Sequence, residues 1–220
     1  MLKAVLFDLD GVLIDSELLS QESSDRVLAR VGINRTAREK EMAFGMRTID
    51  YFRMIAKIYG VVFDAEKLAA EKDKVLAGLI KGRLKPLPGV MSLLKGLKLN
   101  GVRVAVVSSS PLGRVNDSLE ETGLILDFDV VVSGDCCSKG KPAPEPFLLA
   151  AEKLDVRPGE CVVVEDAEIG ISSAKDAGMK VIAVKSPNTR GQDLGKADAV
   201  VKSLEKVDLK FLKHLNDVLK

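Results

Sequence analysis

Six short apolar runs, most of them rich in valine, recur along the chain with helical spacing between them. They are Ala4-Val5-Leu6-Phe7, Val102 to Val107, Val130-Val131-Val132, Cys161 to Val164, Val181 to Val184 and Ala199-Val200-Val201. Runs that are continuous rather than alternating belong to strands covered on both faces. Between them, Val90, Leu93, Leu94 and Leu97 form one stripe with 3–4 spacing, and Leu209, Leu212, Leu215 and Leu219 form another. Each reads as an amphipathic helix. Strand–helix alternation of this kind predicts an α/β fold, a doubly wound parallel sheet with right-handed crossovers.

One stretch breaks the rhythm. After Asp15 no further buried-strand pattern comes until Val102, and the interval reads as mostly helical. Ile49, Phe52, Ile55 and Tyr59 make one stripe, and Leu68, Val75, Leu76 and Leu79 suggest another. A segment from Lys81 to Gly89, dense in Pro, Gly and charge, reads as the return linker. The expected organisation is a core of residues 1–15 and 86–220 interrupted by a small α-helical cap, residues 16–85.

Composition removes several classes of function. Net charge is +1, and there is no Trp and only two Tyr, so neither a broad basic surface nor base-stacking platforms are supplied for nucleic acid. No apolar run approaches the roughly 20 residues needed to cross a bilayer. The start, MLKAVLFDLDGVL, is interrupted by two aspartates and does not read as a secretory signal. Three cysteines, Cys136, Cys137 and Cys161, have neither disulfide-framework nor zinc-site spacing, which points to a reducing, cytoplasmic setting. The single histidine, His214, sits far along the chain and leaves no material for a Ser-His-Asp triad. No obligate protein partner is evident.

In open parallel sheets ligands bind beyond the carboxyl ends of the strands. The first run ends in Asp8-Leu9-Asp10-Gly11 and the second in Ser108-Ser109-Ser110-Pro111. Lys139-Gly140-Lys141-Pro142 follows the third, and Glu165-Asp166 ends the fourth. Four carboxylates sharing one crevice repel one another and call for a cation. Mg²⁺, a hard ion that works with one or two carboxylates and a substrate phosphate, is the expected cofactor. Ser110-Pro111 is placed to open the next helix and present N–H groups to a phosphate.

These segments carry a specific likeness. Asp8-Leu9-Asp10-Gly11-Val12 through Ser16 resembles the first motif of the haloacid dehalogenase-like superfamily, in its phosphatase and β-phosphoglucomutase-like branch. Val106-Val107-Ser108 resembles the second motif, Lys141-Pro142-Ala143-Pro144-Glu145 the third, and Val164-Glu165-Asp166 the fourth. The position of the helical insertion is similar to that of the family's type 1 α-helical cap, on a Rossmann-like core.

The resemblance implies residue roles. Asp8 is the expected nucleophile, forming an aspartyl-phosphate. Asp10 is the expected general acid and base. Ser108, Ser109 and Lys141 are expected to hold the transferring phosphoryl group, with Lys141 also offsetting charge at Asp8. Asp8, Asp10 through its carbonyl, Asp166 and Glu165 are the expected Mg²⁺ ligands. Arg47, in the Phe44-Gly45-Met46-Arg47-Thr48 segment similar to the family's cap loop, is a candidate for a second anionic group or a sugar hydroxyl. Lys72 and Lys74 read as solvated helix-surface lysines. The expected activity is Mg²⁺-dependent hydrolysis of a small phosphomonoester, such as a sugar phosphate. Hexose-phosphate mutation of the β-phosphoglucomutase type is the alternative, weakened by Ser20, which falls where that group carries a His. A phospho-acceptor signalling module, without turnover, is the third reading.

Overall fold

The computed structural model describes residues 1–186, 189 and 191–218; Leu219, one of the expected stripe positions, lies outside the described residues. A six-stranded sheet forms the centre, built from β1 (Ala4–Phe7), β2 (Arg103–Val107), β3 (Val130–Val132), β4 (Cys161–Glu165), β5 (Lys180–Val184) and β6 (Ala199–Val201). Its order is β3-β2-β1-β4-β5-β6, and every neighbouring pair is parallel. Each of the six apolar runs of the sequence coincides with a strand, the second run starting one residue before β2 at Val102.

The strands are continuously apolar because alternate residues feed two separate layers. Val5, Phe7, Val104, Val106, Val162, Val164 and Ile182 point into one. Ala4, Leu6, Ala105, Val107, Val163, Val181 and Ala183 point into the other. Helices α5 (Val90–Leu99), α6 (Leu112–Glu121) and α9 (Leu209–Val218) cover the first face, while α7 (Glu145–Lys153) and α8 (Glu168–Asp176) cover the second. Phe147 on α7 is fully buried, and truncating such a side chain to Ala costs about 3–5 kcal/mol.

The insertion after β1 is helical: α1 (Glu17–Ala29), α2 (Ala37–Glu41), α3 (Thr48–Tyr59) and α4 (Ala65–Ile80). It has its own apolar cluster, in which Val27 and Leu28 meet Tyr51, Phe52 and Ile55 of α3 and Leu68 of α4. The two chain connections to the sheet run side by side, for Ile14 bridges Pro86 and the Leu87 N–H donates to the Leu13 carbonyl at 2.9 Å. No helix among the described residues is long and apolar enough to cross a membrane.

The start of α6 departs from the sequence expectation. Pro111, not Ser110, is the N-cap residue, and the Leu112 N–H is satisfied by Asp135 from after β3, at 2.7 Å. Ser110 is drawn away by side chains described below.

Candidate active site

Parallel strands in register bring their carboxyl ends to one edge. Phe7 lies level with Val106 and with Val164, so Asp8 emerges between the ends of β2 and β4. Its N–H donates to the Val164 carbonyl at 2.9 Å, which fixes the backbone from which the carboxylate projects. One step along, the Ser108 N–H donates to Val132 at 2.9 Å.

Lys141 reaches into this edge from the loop before α7. Its Nζ donates to Asp8 Oδ1 at 2.6 Å, to Glu165 Oε1 at 2.6 Å and to the Val107 carbonyl at 3.0 Å. Glu165 in turn accepts the N–H groups of Asp166 and Ala167 on Oε2, at 2.9 and 3.0 Å. Both Glu165 oxygens are therefore committed to holding Lys141 and the start of α8, and a side chain at Gly170 would overlap that carboxylate. Burial lowers the affinity of Lys141 for its proton, but the two carboxylates outweigh that and keep it above its ordinary value, firmly charged.

The other carboxylates are held differently. Burial raises Asp8 above the usual carboxylate range, Lys141 opposes the rise, and Glu165 and Asp10 add to it. Asp166 is raised well above that range by burial, then by Glu165, Asp8 and Glu17. Asp10 goes the other way: burial would raise it, but the charge and bonds of Arg114 bring it below its ordinary value. Arg114 Nη1 and Nη2 each reach an Asp10 oxygen at 2.6 Å, and Ser16 Oγ donates to Oδ1 as well. Ser110 Oγ, in contact with the same guanidinium, completes the group.

The helical insertion closes over this edge. Gly45 has φ +73°, and a Cβ there would stand 2.8 Å from Ile169 Cγ1 and 2.9 Å from Ala167 Cβ, so only glycine lets the loop sit this close. The Gly45 carbonyl accepts from Ser109 Oγ at 2.8 Å, tying the cap loop to the loop after β2. A cavity between the layers is lined by Asp8, Asp10, Ser108, Ser109, Glu165 and Asp166 below, and by Glu17, Ser20, Thr48, Tyr51 and Lys72 above.

The structure thus brings Asp8, Asp10, Ser108, Ser109, Lys141, Glu165 and Asp166 together, and it leaves Arg47 out. The Arg47 Nε donates to Asp50 at 2.7 Å, its side chain lies against Gly140, and it lines a separate cavity of about 470 Å³. Lys72 corrects the surface expectation: it is 5% exposed, donates to Thr48 Oγ1 at 3.2 Å and faces the cavity, whereas Lys74 is exposed. Arg114 lies in none of the sequence motifs, and Ser16 closes the first motif with no role assigned to it, yet both grip Asp10. The 3–4 spacing held a signal for each lysine and arginine: Lys72 shares a stripe with Leu68, Leu76 and Ile80, and Arg114 adjoins the stripe of Val115 and Leu119.

Asp166 supplies the test for a metal. It is 2% exposed, its Oδ2 is buried without a hydrogen-bond partner, and its neighbours are anionic. Such an oxygen is costly unless something ligates it. Asp166, with the Asp8 carboxylate near it, offers the hard oxygen donors that Mg²⁺ takes. No cluster of three or more acidic, His or Cys side chains suited to a metal forms among the described residues, and this donor set does not require one.

An α/β core with a helical insertion closing over a carboxylate-rich strand edge is the class these features define. Residues 5–184 match the model of the haloacid dehalogenase-like hydrolase family, and the chain belongs to that family. It is 32% identical over 204 residues to the phosphorylated carbohydrates phosphatase of Thermotoga maritima, covering 90% of this chain and 93% of that one. The crystal structure of β-phosphoglucomutase from Clostridium difficile superimposes with a TM-score of 0.89 at 27% identity, covering 99% and 98% of the two chains. A match of 37% identity over 83% of this chain is to the chloroplastic protein SUPPRESSOR OF QUENCHING 1 of Arabidopsis thaliana. The chain spans only 18% of the length of that relative and 53% of another.

Proposed function

We propose that the protein is a Mg²⁺-dependent phosphatase that hydrolyses a small phosphomonoester, a sugar phosphate or similar metabolite, through an aspartyl-phosphate on Asp8. One observation carries this reading. Asp8 and Asp10, two residues apart, are sorted onto different cations, Asp8 onto Lys141 and Asp10 onto Arg114. Two carboxylates in unlike settings can take unlike roles.

In the first half-reaction an Asp8 oxygen bonds to phosphorus as the ester P–O bond breaks. The leaving oxygen takes a proton from Asp10, which has to be in its protonated form when substrate binds although Arg114, outweighing burial, lowers its hold on that proton. In the second, water attacks phosphorus, its proton passes to Asp10, and the Asp8–phosphorus bond breaks to release phosphate. Lys141 and the Ser108 region would hold the phosphoryl oxygens, and positioning with charge neutralisation supplies most of the catalysis. Asp8, the Asp10 carbonyl and Asp166 would hold Mg²⁺, which supplies charge neutralisation for the bound phosphoryl group. Residues 16–85 would act as the cap, with hinges near residues 14–17 and 81–87, excluding water during transfer.

The names of the relatives favour phosphorylated carbohydrates as the substrate class. The likeness to β-phosphoglucomutase keeps a second reading in view, a hexose-phosphate mutase in which a sugar hydroxyl replaces water. Ser20 lines the cavity and offers a short hydroxyl rather than an imidazole, which supports hydrolysis. A screen of phosphorylated metabolites with and without Mg²⁺ tests both. Phosphate release supports the first reading, and conversion of glucose 1-phosphate to glucose 6-phosphate without release supports the second.

A further inference from the structure

Asp10 accepts more donors than any role as a simple surface or cap residue requires. Oδ1 is held by Arg114 Nη2 and by Ser16 Oγ; Oδ2 is held by Arg114 Nη1. The remaining donor to Oδ2, Ser110 Oγ, is 3.5 Å away, long for an O–H···O bond. Oδ2 is thus the oxygen with a loosely held lone pair, and Asp10 lines the cavity that Asp8 also lines.

Arg114 also touches the two hydroxyls that reach Asp10, those of Ser110 and Ser16, so its contacts gather on this one carboxylate. Its side chain is 5% exposed and comes from α6, 104 residues along the chain from Asp10. Its Nε is buried without a hydrogen-bond partner among the described residues. Both terminal nitrogens form the parallel, two-point arrangement that only a guanidinium can offer a carboxylate.

We propose that Arg114 is a positioning residue for the proton transfer, holding the Asp10 carboxyl by two bonds so that the Oδ2 lone pair those bonds leave open, the one that takes the proton, faces the ester's leaving oxygen. This rests on the reading of Asp10 as the acid and base. One bond would leave the carboxylate free to turn about its Cβ–Cγ axis; two fix that rotation. The proton moves from Oδ2 to the leaving oxygen as the P–O bond breaks, and the attacking water returns one to Oδ2 in the second half. Arg114 lines the same cavity, and in this proposal it acts through Asp10 rather than on the phosphoryl or leaving group.

The test separates aim from mere stability by varying how much the leaving group needs a proton. Wild type, Arg114→Ala, Arg114→Lys and Asp10→Asn are assayed for kcat/KM on phenyl phosphate and on p-nitrophenyl phosphate, two esters of similar shape. The phenolate is the more basic leaving group and depends more on the acid. A well-placed acid is worth ~10²–10⁴-fold, so Arg114→Ala is expected to lose ~100-fold on phenyl phosphate and under ~5-fold on p-nitrophenyl phosphate. Arg114→Lys keeps the charge without the fork and should show a smaller loss with the same ordering. Millimolar guanidinium should restore Arg114→Ala on phenyl phosphate, which no destabilised fold would show. Equal losses on the two esters, or none, overturn the proposal; if Arg114→Ala does not fold, the lysine variant decides by the same comparison. Selective loss in Asp10→Asn without selective loss at Arg114 sinks this inference alone. No selective loss in Asp10→Asn sinks the acid–base reading and the inference with it.

Discussion

Gly11 lies against Asp166 so closely that a methyl group on Gly11 would overlap Asp166 Oδ2. The same oxygen is the buried, unpartnered one that a cation would satisfy. Gly11 also has φ +83°, which costs a residue with a side chain about 1–3 kcal/mol. Gly11→Ala therefore both strains the loop after β1 and displaces the Asp166 carboxylate, which is proposed to hold Mg²⁺. A melting curve should drop by several degrees, and a Mg²⁺ titration of activity should shift to higher concentration. An unchanged Mg²⁺ dependence would contradict the placement of Asp166.

Glu165 has two sets of donors to satisfy, Lys141 on one oxygen and two backbone N–H groups on the other. A glutamine has one acceptor oxygen, so Glu165→Gln must turn its NH₂ toward one set. Breaking a buried pair from one side costs about 3–5 kcal/mol. Lys141 would keep Asp8 but lose the anchor that aims it, and removing aim from a group that stabilises charge typically lowers kcat ~10²–10³-fold. Steady-state kinetics beside thermal unfolding check both effects; a stable variant with normal kcat would show that Glu165 does not position Lys141.

Lys72 gives a pH dependence with a definite sign. Burial, then repulsion by Arg114, lowers it from 10.5 to about 8. Between those values the unfolded chain holds a proton that the folded chain has released, so this group makes stability rise with pH through the window. Below pH 8 both states are protonated and the whole cost of burying the charge stands, about 3 kcal/mol at 1.36 kcal/mol per unit. Lys72→Met should accordingly be more stable than wild type at pH 7, by somewhat less than that because the Thr48 bond goes too. Its advantage should disappear toward pH 10.5. Urea unfolding of both proteins across that range is the check, and a variant less stable at pH 7 would refute it.

The sheet was legible because its strands are covered on both faces, which writes them as unbroken valine-rich runs. The strand-end residues were legible for a related reason: a polar group at the end of such a run has few places to go. The cap was harder. Helix α1 buries Ser23 and Ser24 beside Leu19, Val27 and Leu28, so its apolar stripe is diluted and its bounds did not stand out. Arg114 and Lys72 were hidden for a different reason. A long cation on a helix reads as solvated, and only the tertiary fold, by bringing Asp10 to α6 and closing α4 over the edge, gives either one a buried role. Arg47 shows the reverse, a cap-loop cation that the fold turns toward Asp50 and a different cavity.

The central claim is that Asp8 carries the phosphoryl group. Rapid quenching during turnover with Mg²⁺, followed by borohydride reduction and peptide mass spectrometry, reads this directly, because reduction converts an aspartyl-phosphate to homoserine. The account predicts homoserine at position 8 during turnover, and none in Asp8→Asn, which should also be inactive. Sustained turnover with Asp8 unmodified, or full activity in Asp8→Asn, would contradict it.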